Sequence, residues 1–274
     1  MKKIAVINDL SGYGRCSLTV AIPVLSAMGH QCCPIPTAIL SNHTEFPVYF
    51  FDDYTEKMTT YTDKWKELGL SFDAIATGFL GSEAQIGIVM EIVQKLKAEK
   101  TFVVVDPVMG DHGHAYETYT PEMCEQMKEL VCMADVVLPN VTECCILTDT
   151  PYREENWTRK ELLNMAMMLR LMGAKSVVIT GVREGSCYTN VVLEQGQYDA
   201  KFIRTRSSGG ERPGTGDVFS SVVAGALLNG KSLPEAVSQA AGFVKECIKV
   251  SDEEQIPHAN GVCFEKILGK LIKK

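Results

Sequence analysis

Gly214, Thr215, Gly216 and Asp217 are the residues whose types and spacing most directly suggest chemistry. Two glycines flank a threonine and an aspartate follows. Val218, Phe219, Val222, Val223, Ala226 and Leu227 then recur at helical spacing, which predicts a helix opening within 214–217. The first N–H groups of a helix lack intrahelical partners, and the dipole there favours negative charge. Glycines let that backbone approach an anion closely. A carboxylate in such a turn can take a proton from a nucleophile while the N–H groups stabilise charge on a phosphoryl group. The same residues also describe a well-capped helix start, and spacing alone leaves both readings open.

Further polar groups cluster after apolar runs. Asp106 and Asp111 are five residues apart beyond the β-branched run 101–105, close enough to share a hydrated Mg²⁺ or simply to solvate a loop. His112 and His114 find no partner at metal-ligand spacing and read as loop residues. Glu143 falls in a predicted first helical turn, where dipole compensation is also sufficient reason for it. Ser41, Asn42, His43 and Thr44 form a polar stretch that suits a ligand-facing loop or a surface turn.

The elements that must carry these groups alternate. Strands are expected at 3–7, 31–40, 72–76, 101–105, 135–138 and 176–179, with helices at 18–28, 56–68, 83–97, 159–172 and 234–250. Residues 187–206 read as an antiparallel hairpin, and a last helix is expected from about 261. The predicted fold class is α/β: three layers, a mostly parallel central sheet with helices on both faces, in a single domain over 1–274. In an open parallel sheet the carboxyl ends of the strands lie along one edge, where ligands bind. Asp9, Ser41 to Thr44, Thr77 to Ser82, Asp106 to Asp111, Asn140 to Glu143 and Thr180 would all meet there.

Two motif look-alikes fail on context. Gly12 and Gly14 suggest a dinucleotide fingerprint, but the third glycine is replaced by Ser17. Gly225 to Ser232 matches the P-loop expression, yet it continues an apolar helix face instead of following a strand. Gly230 reads as a helix C-terminus, and Ser232 with Glu235 as a capping box.

Composition narrows the partners. A net charge of −7 argues against nucleic acid or an anionic membrane as partner. The apolar run 4–7 is too short for a secretory leader. Ten cysteines without a C-x-x-C pair suggest a reducing cytoplasm and no zinc ribbon.

Taken together, Gly214-Thr215-Gly216-Asp217, Ser41-Asn42-His43-Thr44, Thr77-Gly78-Phe79, Asp106-Pro107-Val108-Met109-Gly110-Asp111 and Pro139-Asn140-Val141-Thr142-Glu143 resemble the ribokinase-like superfamily, and within it the pyridoxal (vitamin B6) kinases. The resemblance implies ATP-dependent phosphorylation of the primary 5′-hydroxyl of pyridoxal, pyridoxine or pyridoxamine. Asp217 would be the base, and Gly214, Thr215 and Gly216 the anion hole. Asp9, His43, Thr44 and Phe79 would contact the substrate. Asp106, Asn140, Glu143, Thr180 and Thr215 would line ATP, with Mg²⁺ held through Asp106, Asp111 and Glu143. It further implies homodimers and a response to K⁺. Pyridoxal kinases commonly carry serine at the position of Asp9. A carboxylate there could pair with a protonated amine, which suggests a tilt toward pyridoxamine. Phe79 stands where tyrosine is frequent. Two alternatives stay open: a hydroxymethylpyrimidine kinase of thiamine synthesis, and a non-catalytic vitamin or nucleotide sensor.

Overall fold

β1 (Lys3–Tyr13) runs six residues beyond the predicted strand, so Asn8 and Asp9 lie inside it and not in a loop. In the computed structural model, which describes residues 1–272, β1 is followed by α1 (Ser17–Ala27), β2 (Gln31–Asn42), β3 (Phe51–Asp53) and α2 (Thr55–Glu67). Next come β4 (Ala74–Thr77), α3 (Glu83–Leu96), β5 (Phe102–Val105), β6 (Gly110–Asp111), β7 (His114–Ala115), α4 (Pro121–Cys132) and β8 (Val136–Val137). The chain continues through α5 (Val141–Leu147), α6 (Arg159–Met172), β9 (Ser176–Glu184), β10 (Cys187–Leu193), β11 (Lys201–Arg206), α7 (Thr215–Leu228) and α8 (Leu233–Glu253).

Nine strands form one sheet in the order β11-β10-β9-β8-β5-β4-β1-β2-β3. The central run from β2 to β9 is parallel, and antiparallel strands stand at both ends. The predicted hairpin is β10 with β11, and it extends the main sheet because β10 also pairs with β9. A separate two-stranded hairpin, β6 with β7, was not expected from sequence.

Period-two alternation builds the three layers. On β1, Ala5 and Ile7 face a core shared with α3, α4, α5 and α6. Ile4 and Val6 face the opposite core, shared with α1, α7 and α8. Val103 and Val105 on β5 divide from Val104 in the same way. That burial on both faces explains an uninterrupted β-branched strand.

Local signals set the helix boundaries. Asn140 with Glu143, Thr158 with Glu161 and Ser232 with Glu235 form capping boxes at α5, α6 and α8. Gly225 sits inside α7, where a β-carbon would stand 2.6 Å from Met28 Sδ, so this glycine serves helix packing against α1. Gly230 has φ +83° just beyond that helix. The P-loop look-alike is therefore a helix end and a helix start.

One expectation is corrected and two elements are additions. Among the described residues no α-helix follows 261: Gly261 has φ +74° and lies against Arg15, and the segment beyond it winds as a 3₁₀ helix, Glu265–Leu271. α4 and the short edge strand β3 were not anticipated. Among the described residues, no helix is long and apolar enough to cross a membrane.

Candidate active site

α7 opens on Gly214, whose φ of +79° turns the chain sharply into the helix. Thr215 Oγ1 donates back to the Arg212 carbonyl at 2.9 Å, and Val218 N–H closes the first turn onto Gly214 O at 2.9 Å. Gly216 and Asp217 fall in the first turn, where N–H groups have no partner within the helix. The Thr215 N–H instead approaches the Arg212 carbonyl at 3.4 Å.

Asp217 faces a cavity of about 900 Å³. The same wall carries Gly214, Thr215, Gly216, Phe79, Asp106, Asp111, Asn140, Glu143 and Thr180, so ten of the thirteen expected site residues meet in one cleft. They arrive from the ends of β4, β5 and β8, from β6, from within β9, which runs past the expected end at 179, and from the start of α7. Asn140 and Thr180 extend the strand pairing by one parallel bridge. The β6–β7 hairpin forms part of the rim, where His112 Nε2 lies 3.3 Å from Glu211 Oε2 on the loop leading to α7.

The remaining three are placed elsewhere. Asp9 is buried, does not line the cavity, and accepts hydrogen bonds from Ser11 Oγ at 2.8 Å and from the Ser17 hydroxyl. His43 is buried under Gly14 with Nε2 2.7 Å from the Ala259 carbonyl, tying β2 to the C-terminal segment. Thr44 is exposed and off the cavity wall, whereas its neighbour Glu45 is on it.

Burial tunes the carboxylates. Desolvation pushes Asp217 up to about 6, and the charge of Asp9 adds to that. The Ser17 backbone N–H and the Asn8 amide work the other way. Asp106 is pushed up to about 8, by burial first and by Asp217 second. Glu143 is raised by burial and by Asp106, against the pull of the N–H groups of Asn140 (2.8 Å) and Met109 (3.1 Å). Cys16, the N-cap of α1, is buried nearby, and burial with the charges of Asp217 and Asp9 pushes its thiol up to about 12.

Those contacts separate binding from scaffolding. Both Glu143 oxygens are committed to backbone donors, and the Asn140 amide donates to Gly110 O at 2.9 Å, holding the β6–β7 hairpin. The charge of Asp217 raises Asp106, and no lysine or arginine pairs with either among the described residues. Asp106, with Asp111 on the same cavity wall, fits a divalent cation. No group of three or more His, Cys, Asp or Glu side chains forms a cage among the described residues. Mg²⁺ bound here would thus depend on one or two carboxylates plus phosphate oxygens, its usual mode beside nucleotides.

Sequence reasoning overlooked Asn8 and Ser17. Asn8 Nδ2 donates to Asp217 Oδ1 at 3.2 Å across 209 residues of sequence. Ser17 has φ +51°, a conformation costly for a residue with a β-carbon. Positive φ at Ser17 has no signature in the residue type. Its position was visible only as the missing third glycine of the rejected fingerprint.

A mostly parallel sheet whose strand ends and one glycine-rich helix start converge on a half-buried carboxylate defines a ribokinase-like phosphotransferase. The sequence profile described as phosphomethylpyrimidine kinase matches residues 22–263, and the chain belongs to that family. It is similar to a Bacteroides thetaiotaomicron protein, provisionally described as a phosphomethylpyrimidine kinase and solved with pyridoxal. The two share 40% identity at a TM-score of 0.93, over 98% of this chain and 95% of that one. A Bordetella avium pyridoxine/pyridoxal/pyridoxamine kinase is 26% identical over 89% of this chain and 84% of its own length. An Aquifex aeolicus hydroxymethylpyrimidine/phosphomethylpyrimidine kinase is 32% identical over 63% of this chain and 66% of its own.

Proposed function

We propose that this protein transfers the γ-phosphoryl group of ATP to the 5′-hydroxyl of pyridoxal, pyridoxine or pyridoxamine, with residues 1–274 acting as one kinase domain. The observation that carries the reading is Asp217, at the unpartnered start of α7, facing the same cavity as Phe79, Asp106 and Thr180. A base near 6 is ionised at neutral pH and retains enough basicity to accept a hydroxyl proton as the oxygen attacks. N–H groups at the start of α7 stabilise the transferring phosphoryl charge. Thr215 and Thr180, whose hydroxyls donate to the Arg212 and Pro139 carbonyls, line the phosphate side of the cavity, and Phe79 offers an aromatic face to the ring. Mg²⁺, held through Asp106 and Asp111, would neutralise phosphate charge. Asn140 and Glu143 serve this site by shaping its floor.

The bound pyridoxal of the B. thetaiotaomicron relative and the name of the B. avium relative support the B6 substrate. The A. aeolicus relative supports a second reading, hydroxymethylpyrimidine as the alcohol. Asp9 is spent on Ser11 and Ser17, so a pyridoxamine preference would have to arise indirectly. One screen decides among these. ATP consumption is measured with the three vitamers and with hydroxymethylpyrimidine, in wild type and Asp9→Ser. Turnover of any B6 vitamer at a higher kcat/KM than hydroxymethylpyrimidine is expected. The reverse order moves the assignment to the pyrimidine, and no turnover with any alcohol favours a sensor.

The protein is further proposed to work as a cytoplasmic homodimer with a K⁺-stimulated rate. All ten cysteines are free, which suits a reducing compartment. Beside edge strand β3, Val48, Tyr49 and Phe50 are 78%, 49% and 63% exposed, an apolar stretch suited to a second copy. Light scattering coupled to size exclusion tests the dimer. Exchange of K⁺ for Na⁺ in the assay tests the ion.

A further inference from the structure

Asn8 sits in a tightly defined place. Its Oδ1 accepts two backbone N–H groups, from Asp9 at 3.0 Å and Phe79 at 2.9 Å. Amide orientation is therefore set: with oxygen facing two donors, Nδ2 must face Asp217, where it donates at 3.2 Å. The side chain is 6% exposed, and it fits only because residue 78 is glycine. A β-carbon there would lie 2.4 Å from Nδ2. Next door, the Asp9 carboxylate holds the Ser17 hydroxyl, and the Ser17 N–H in turn stabilises ionised Asp217.

We propose that Asn8 is a positioning residue for the phosphoryl-transfer base: its amide fixes one oxygen of the Asp217 carboxylate and links its placement to the backbone of Phe79 on the substrate side. The inference rests on Asp217 being the base. Asp9 acts in the same assembly from behind, through Ser17. The titratable groups coupled to Asp217 are acidic or neutral: Asp9 from β1, Asp106 beyond β5, Cys16 before α1 and Tyr116 beyond β7. Arg212, before α7, and Lys245, from α8, line the same cavity without pairing with Asp217.

The test compares pH profiles of kcat/KM for Asn8→Asp, Gly78→Ala and wild type, with Asp217→Asn as reference. Asn8→Asp keeps the acceptor for both N–H groups but places a carboxylate against Asp217. Gly78→Ala leaves Asn8 intact and displaces its amide. In both, the acidic limb should move up by about one pH unit, and kcat should fall about tenfold at pH 7 with KM for ATP within about twofold. Melting curves establish that each variant is folded, and either folded variant suffices. A limb unmoved in a folded variant, beside an inactive Asp217→Asn, overturns the role of Asn8 and leaves the base intact. Full activity in Asp217→Asn instead removes the reading on which the inference stands.

Discussion

Gly214 packs directly on Arg15: a β-carbon at Gly214 would stand 1.8 Å from the Arg15 carbonyl oxygen. Two loops 199 positions apart in the chain thereby touch backbone to backbone, one before α1 and one before α7. Position 214 needs glycine on two grounds, positive φ and this contact. Gly214→Ala is expected to lose about 1–3 kcal/mol of stability from backbone strain alone. Displacement of the helix start should also cost about 100-fold in kcat/KM. Denaturant melts and steady-state kinetics measure the two separately.

Asp217 should trade stability for function. Its folded pKa of about 6 lies above the ordinary 3.8. The folded state therefore binds the extra proton, a contribution fully present below about 3.8 and lost as pH rises through about 6. Asp217→Asn lacks that loss. Relative to wild type, it should gain in melting temperature between pH 4 and 8 while kcat drops by about 10²–10⁴. A variant no more stable at pH 8 than at pH 4, relative to wild type, contradicts the burial argument.

Wild-type activity should itself fall on acidification. The base must be ionised, so kcat/KM should decline as pH drops through about 6, the value to which burial raises Asp217. A profile flat down to pH 4.5 would exclude Asp217 as the base.

Asp106→Asn tests the cation. Removing a carboxylate already raised by burial and by Asp217 should weaken Mg²⁺ more than it disturbs the fold. Half-saturation by Mg²⁺ in the kinase assay should rise by about tenfold, with melting temperature maintained or increased. An unchanged Mg²⁺ requirement assigns the ion elsewhere.

Glu143→Gln separates scaffold from ligand. An amide can offer oxygen to only one of the Asn140 and Met109 N–H groups, and its NH₂ must then meet a donor. The expected cost is about 1–3 kcal/mol of stability. Chemical denaturation reads it.

How much was legible follows from how local each signal is. α6 was read to the residue, because a Met- and Leu-rich run ends at Gly173, and the structure adds a capping box at Thr158. β5 was read within one residue, because a strand buried on both faces has no polar positions. Asp217 stood out because glycines and an aspartate before an apolar helix form a local pattern. Asn8 was missed because its role lies with Phe79 and Asp217, 71 and 209 residues away. Asp9 was assigned to substrate by the resemblance, and an expected strand end at Ile7 agreed with it. The strand instead continues, and the carboxylate meets the Ser17 hydroxyl before it meets the cavity. His43 and Thr44 carry a specific motif, but motif identity does not reveal that the imidazole is engaged by the Ala259 carbonyl.

Cys16 gives the site an unplanned chemical resistance. With its thiol pushed to about 12 by burial and two neighbouring carboxylates, only about one molecule in 10⁵ carries the thiolate at neutral pH. Electrophilic warheads and peroxide both require that thiolate. The sulfur beside the proposed base is therefore a poor anchor for a covalent inhibitor, and oxidative stress should spare Cys16 while a more accessible thiol such as Cys132 reacts first.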